Sequence, residues 1–384
     1  MSTSKKVTSI ICIVLCALLV LCACKPTVKC DWKLFEFDDD VSFHTEDQAA
    51  YLAGDYNKIS TYAKGDKELS RPNAVRLSWT ANYNTDKAEL TQYVVEIRDV
   101  DNEYSPMYLY TEDTYVDVYN LCIDTVYNWR VTAQFKGGKT SVSDWAFFLT
   151  EDVAPRNLYV DGITNVRDLG GWHTTDGKVR QGMIYRCGRL NESGTLQSDG
   201  TVKINIEITE AGIEVMRNVL GIKSEIDLRM IEAHDHETGG ITSSPLGKDV
   251  NYYNCELEWN QGNYLTDNLK AVKYFFELAS DINNYPFIFH CDIGTDRTGM
   301  FAYLINGLLG VEEEDLYRDY LYSNFGKIGG SRSLSNIQNN YIKTIKSYDG
   351  ATLSEKIENC LIQLVGVPKS QIDAIKNIML VVED

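Results

Sequence analysis

The stretch Phe287-Ile288-Phe289-His290-Cys291-Asp292-Ile293-Gly294-Thr295-Asp296-Arg297-Thr298-Gly299 sets a nucleophile and a cation six positions apart. An apolar run of strand type ends at His290-Cys291, and Arg297 opens an apolar segment with helical spacing. Strand, tight loop and helix start together make an anion cradle. Its backbone N–H groups point inward and the helix N-terminus adds partial positive charge. A cysteine on the floor of that cradle is expected to be held as thiolate, the nucleophilic form. Arg297 is expected to grip two phosphate oxygens at once, which a point-charge lysine cannot do. The chemistry is attack on phosphorus. The bland alternative, a buried cysteine at a strand end, leaves the flanking His, Arg, Thr and Gly unaccounted for.

The elements that must position this loop come before and after it. Asn157–Val160 and Gly182–Cys187 have strand character, and Asn165-Val166-Arg167-Asp168-Leu169-Gly170-Gly171-Trp172 lies between them. Thr209–Leu220 has helical spacing and is placed beside Ile222–Arg229. Asn268–Ala279 reads as an amphipathic helix with Leu269, Val272, Tyr274, Phe275, Phe276 and Leu278 crowding one side. Strands alternate with helices, so an α/β domain is expected over 151–384, a central mixed sheet flanked by helices.

His290-Cys291-x2-Gly294-x2-Arg297-Thr298-Gly299 resembles the phosphate loop of the protein tyrosine phosphatase superfamily. Asn165–Gly171, Tyr185-Arg186, Ile226-Asp227-Leu228-Arg229 with Glu232, Asp319–Asn324 and Gly366-Val367-Pro368 occur in the order of one bacterial branch. That branch includes secreted and lipid-modifying enzymes. The resemblance implies Cys291 as nucleophile, forming a cysteinyl-phosphate that water hydrolyses. It implies Asp292, Ile293, Gly294, Thr295 and Arg297 around the phosphate, with Arg297 and the loop amides stabilising its equatorial oxygens. Thr298 is expected to hydrogen-bond the sulfur, and His290 to orient the loop. Asp296 is the first choice for general acid, against capping of the following helix. Asp227 is the second choice, against a buried ion-pair network with Arg229. Arg167, Asp168 and Arg186 are read as scaffold. No metal or other cofactor is expected.

One position departs from the branch. Thr295 stands where those enzymes usually keep a lysine associated with highly charged inositol head groups. The departure favours phosphotyrosine or small aryl phosphates over inositol phosphates and phosphoinositides. A phosphate-binding adhesive lipoprotein without catalysis is the alternative from another class.

Before the α/β region, Val75–Trp79, Tyr93–Arg98, Thr114–Val118, Tyr127–Ala133 and Trp145–Leu149 alternate with period two. Residues 66–150 are therefore expected to form an all-β sandwich. Trp79, and Leu121 with Tyr127-x-Trp129-Arg130-Val131-x-Ala133, resemble the core tryptophan and tyrosine-corner strand of fibronectin type III domains. That module is read as a spacer or as a contact for a protein or glycan, its aromatics as core. Residues 24–65, with acidic Glu36, Asp38, Asp39 and Asp40, are read as a tether plus the edge of the next domain.

Lys5 and Lys6 precede an apolar run, Ile10–Leu21, too short to span a bilayer comfortably and suited to a secretory leader. Leu21-Cys22-Ala23-Cys24 resembles a lipobox. It implies a leader over 1–23, lipidation at Cys24 and a location outside the cytoplasm, anchored to the bacterial cell membrane by acyl chains. Of the ten cysteines, Cys30, Cys122, Cys187, Cys255, Cys291 and Cys360 lie beyond this segment with no metal-type spacing. One or two disulfides are compatible with that, with Cys291 left free. A formal net charge of −18 argues against nucleic acid as a partner.

Overall fold

The computed structural model describes residues 27–382 apart from 102–105, 193–194, 197, 199–201, 204–206, 232–237, 239 and 260–261. The expected leader, Cys24 and Glu232 lie outside the described residues. No helix among the described residues is long and apolar enough to cross a membrane. The six cysteines from Cys30 onward are all free.

The chain divides into two units. The first holds the residues up to Val41 with Ala74–Val118 and Thr125–Glu151. It is all-β. Strands β1 (Asp31–Leu34), β2 (Val75–Asn82) and β5 (Tyr115–Val118) form one antiparallel sheet. The second sheet is built from β3 (Leu90–Asp99), β4 (Met107–Thr111), β6 (Val126–Phe135), β7 (Lys139–Val142) and β8 (Ala146–Leu149). Along β6, buried positions alternate with more exposed ones, as a strand with one packed face requires. Trp79 of β2 meets Tyr93 of β3 at 5.3 Å and Trp129 of β6 at 6.5 Å between ring centroids, so the aromatics tie the two sheets together. β1, β4 and β7 were not among the five strands expected.

The second unit holds Ser42–Asn73, Tyr119–Asp124 and Asp152–Asp384. Its centre is a mixed five-stranded sheet. The spatial order is β12 (Asn251–Asn254), β11 (Ser224–Asp227), β13 (Phe287–His290), β10 (Ile184–Cys187) and β9 (Arg167–Asp168). β13 lies in the middle, parallel to both neighbours, and every residue of β10, β11 and β13 is buried. Successive side chains of β13 serve opposite faces. Phe287 and Phe289 join Phe275 and Phe301, whereas Ile288 packs with Met216 and Leu220. Helix α2 (Leu269–Ala279) and helix α3 (Asp296–Leu308) cover the first of these faces. Residues 297–308 of α3 are buried without exception, so this helix is a core element rather than an amphipathic one.

Residues 42–65 do not behave as a tether. Thr45 and Gln48 form a capping box that starts helix α1 (Glu46–Ala53). Tyr51 of that helix is fully buried against Tyr322 and Phe325 and donates its hydroxyl to the Arg318 carbonyl at 3.1 Å. The physical reason is the apolar pair Tyr51-Leu52, which finds its cover on helix α4 (Glu313–Tyr322) and the turn after it. The segment belongs to the α/β unit although most of the β unit, Ala74–Val118 and Thr125–Glu151, follows it.

Candidate active site

The carboxyl end of β13 delivers Cys291 to the foot of α3. The loop between is held from beneath. Asn165, itself at φ 60°, donates from Nδ2 to the carbonyls of Gly294 at 3.0 Å and Ile293 at 3.3 Å. Arg186 donates to the Gly294 carbonyl at 2.7 Å. Gly294 adopts φ +69°, and a Cβ there would lie 2.2 Å from the Cys187 carbonyl oxygen, so only glycine fits this turn. Below it, Asp319 accepts from Arg167 and Arg186, each at 2.6 Å. Burial raises the Asp319 carboxyl, but the two guanidiniums outweigh it and hold it below the usual range. Burial and the neighbouring Arg167 push Arg186 down to about 10.

His290 is fully buried. Its Nε2 lies 2.9 Å from a Glu225 carboxylate oxygen and its Nδ1 donates to the Cys291 carbonyl at 3.1 Å. Burial disfavours its charge, yet Asp227 and Glu225 raise it above the ordinary histidine value. Asp227 is fully buried and gives both oxygens to Arg229, at 2.7 and 3.0 Å. Burial works against its charge and Arg229 and His290 win, so its carboxyl is held low. Glu225, Asp227 and His290 are close enough to one another to frame a cation. His290 and Arg229 already hydrogen-bond those two carboxylates, so each has a partner. Through His290 the quartet fixes the carbonyl of Cys291.

A cleft of about 500 Å³ opens over Cys291. Asp292, Ile293, Asp296 and Arg297 line it from the loop, and Trp259 and Tyr264 from the segment before α2. Lys327, Ile328, Gly329 and Arg332 come from the loop after α4, and Asp66 from the segment after α1. Arg297 is 4% exposed, with Nη1 at 3.3 Å from the Leu257 carbonyl. A second cleft shares Asp292, Ile293 and Lys327 with the first and adds Arg71 and Arg189.

Several expected residues lie elsewhere. Gly294 and Thr295 do not line the cleft; the Thr295 side chain is buried, 3.4 Å from the Ile293 carbonyl and from Asn165 Nδ2. Lys327 and Arg332 bring cationic side chains to the cleft, Arg332 already paired there with Asp296. Thr298 is buried and its hydroxyl has no hydrogen-bond partner, so it does not bond the sulfur. Asp296 is not a cap. The cap position is Thr295, and both Asp296 oxygens instead meet Arg332 at 3.0–3.1 Å, one of them also accepting from Tyr320 at 3.0 Å. Asp227 and Arg229 form the ion-pair network and stand outside the cleft. Asp168 binds Arg156 at 2.8 Å and the amides of Gly170 and Gly182. Burial raises its carboxyl against the pull of Arg156. With Arg167 it is scaffold in the described contacts.

Asp66, Trp259, Tyr264, Lys327 and Arg332 were missed. The Thr45-x-x-Gln48 signature marked the missing helix, but nothing local marked Asp66.

Cys291 and Arg297, six positions apart across the strand–loop–helix turn, thus line one open cleft. The tyrosine phosphatase family model matches residues 158–379, more than half of the chain. The chain belongs to that family. It is 28% identical over 186 residues to a provisionally named tyrosine-protein phosphatase of Cupriavidus necator, covering 44% of this chain. The chain spans 63% of that relative's length. Among solved structures it is similar to the core catalytic domain of the PP-IP phosphatase SIW14 from S. cerevisiae bound to citrate. There the identity is 18%, with 46% of this chain and 94% of that one covered and a TM-score of 0.27. A second structure, of the Siw14 catalytic core, gives 15% identity, 55% and 96% coverage and a TM-score of 0.31.

Proposed function

We propose that the protein is a cysteine-dependent phosphatase that hydrolyses phosphotyrosine or small aryl phosphate monoesters through a cysteinyl-phosphate. The observation that carries this is Cys291 under a cleft walled by Trp259 and Tyr264, with Arg297 at its side. The thiolate attacks phosphorus from below while Arg297 and the loop amides take the equatorial oxygens. The two aromatic walls flank the space where a phenyl leaving group would sit. Water then cleaves the sulfur–phosphorus bond. Nothing in this sequence of steps calls for a metal.

The test compares turnover of a phosphotyrosine peptide with that of inositol polyphosphates, wild type against Cys291→Ser under reducing conditions. Preference for the peptide with an inert variant is expected. Preference for the inositol compounds would replace the substrate class, and an inert wild type would support the phosphate-binding lipoprotein instead. The adjoining cleft sets Arg71, Arg189 and Lys327 against Glu68, Glu207 and Asp292, so it adds no net positive charge in favour of the inositol reading.

The same proposal places the enzyme outside the cytoplasm, lipidated on Cys24, with the all-β unit as a fibronectin type III-like spacer or protein- or glycan-contact module. The leader-type sequence and the paired β sheets support this. Cys24→Ala should release the protein from the membrane fraction. A thiolate in that compartment is open to oxidation, so activity should rise with added reductant.

A further inference from the structure

We propose that Asp66, contributed by the segment ahead of the β unit, is the general acid of the hydrolysis. The inference rests on the phosphatase reading above and names the residue that reading lacks. Among the described residues, three carboxylates line the cleft over Cys291: Asp66, Asp292 and Asp296. Asp292 is paired with Arg189. Asp296 has both oxygens engaged by Arg332, one of them by Tyr320 as well, so a proton on either oxygen would face a fixed donor. Asp66 is exposed and has no hydrogen-bond or ion-pair partner among the described residues. Of the three it is the carboxyl whose oxygens are not already engaged by a cation, so it is the one free to turn toward substrate.

Its backbone is placed with care. The neighbouring Gly65 donates to the Asn324 carbonyl at 2.8 Å and accepts from Ile328 at 3.0 Å and Gly330 at 3.2 Å. Gly65 sits at φ +74°, and a Cβ on it would meet the Gly330 carbonyl oxygen at 2.6 Å. Glu68 bonds Thr164 and the Lys327 amide. The segment is thereby strapped to the loop that carries Lys327 and Arg332 into the cleft. A free carboxyl on a fixed backbone is what proton transfer needs.

In the first step the sulfur–phosphorus bond forms and the phosphorus–oxygen bond to the leaving group breaks. The Asp66 proton goes to the departing oxygen. In the second step water attacks phosphorus, its proton passes to the Asp66 carboxylate, and the thiolate leaves. Acid and thiolate are both regenerated.

The experiment measures kcat/KM of wild type, Asp66→Asn, Asp66→Glu and Asp296→Asn on phosphotyrosine and on p-nitrophenyl phosphate across pH. A good leaving group needs no proton. Asp66→Asn should therefore lose about a hundredfold or more on phosphotyrosine. On p-nitrophenyl phosphate it should change little, and it should lose the alkaline limb of its pH profile. Asp66→Glu should recover part of the rate. Equal losses on both substrates, or no loss, overturn the proposal. So does a leaving-group-dependent loss in Asp296→Asn with Asp66→Asn unaffected. The phosphatase reading is judged apart, by wild-type turnover against an inert Cys291→Ser.

Discussion

Arg186 joins Asp319 at 2.6 Å with one guanidinium nitrogen and the Gly294 carbonyl at 2.7 Å with another. Helix α4 and the loop from Cys291 to Thr295 are thus coupled through a single buried side chain. Asp319→Asn keeps the shape and removes the charge that compensates both Arg186 and Arg167. Breaking a buried pair in this way costs on the order of 3–5 kcal/mol. Denaturant unfolding monitored in the isolated variant checks the figure, and a change below about 1 kcal/mol would contradict the coupling.

Gly294→Ala should retain most of the secondary structure and lose activity by about a hundredfold or more, the cost of displacing a reactive group by about an ångström. A Cβ at that turn would overlap the Cys187 carbonyl, so the loop must shift and move Cys291 away from Arg297. Steady-state kinetics with far-UV circular dichroism distinguishes this from unfolding.

His290 is raised above its ordinary value of about 6.5, with burial opposed and overcome by Asp227 and Glu225. Between 6.5 and its raised value the folded chain holds a proton that the unfolded chain has released. Its contribution is therefore complete below about pH 6.5 and lost as pH rises through the folded value. Stability of the wild type should fall on raising pH from 6 to 9 more steeply than that of His290→Gln. Parallel slopes would show that the imidazole is neutral in the fold.

Lys327 lines both clefts and has no ion-pair partner among the described residues. Lys327→Met should raise KM by about fivefold to tenfold with a smaller effect on kcat, the signature of lost uniform binding. Thr295→Lys should not strengthen substrate binding. That position is buried beneath the loop, so the variant should unfold more easily while its KM stays near that of the wild type.

Tyr51→Ala should cost roughly 3–5 kcal/mol, as truncation of a large core aromatic does. The midpoint of unfolding of the α/β unit would report it. A residue on a tether would show no such loss.

The cradle was legible because its parts are local. Strand, glycine turn and helix start are all read within thirteen residues, and Asn165, Arg186 and Asp227 carry their own short motifs. The side walls of the cleft were not legible. Asp66, Trp259 and Lys327 meet only through folding, and no period or spacing relates them. The direction of Thr295 was equally hidden, since a residue type does not say which side of a turn it faces. The capping box at Thr45 and Gln48 is local and legible in the chain, but the acidic residues before and within it carry no apolar period that would mark the helix. Five β strands were found by alternation, whereas the edge strands β1, β4 and β7 bury almost no residue and so carry little alternation to read.

Helix α1 and helix α4 that covers it are separated in the chain by most of the β unit, and the path returns once more at Tyr119–Asp124 before the α/β region proper begins. A ribosome therefore releases α1 some 250 residues before α4, the helix that covers Tyr51. The nascent chain must shelter that apolar face through the synthesis of everything between. It also means that the β unit cannot be exchanged among proteins as a terminal bead. Any genetic event that moves it must cut the gene for the catalytic unit in more than one place and rejoin it.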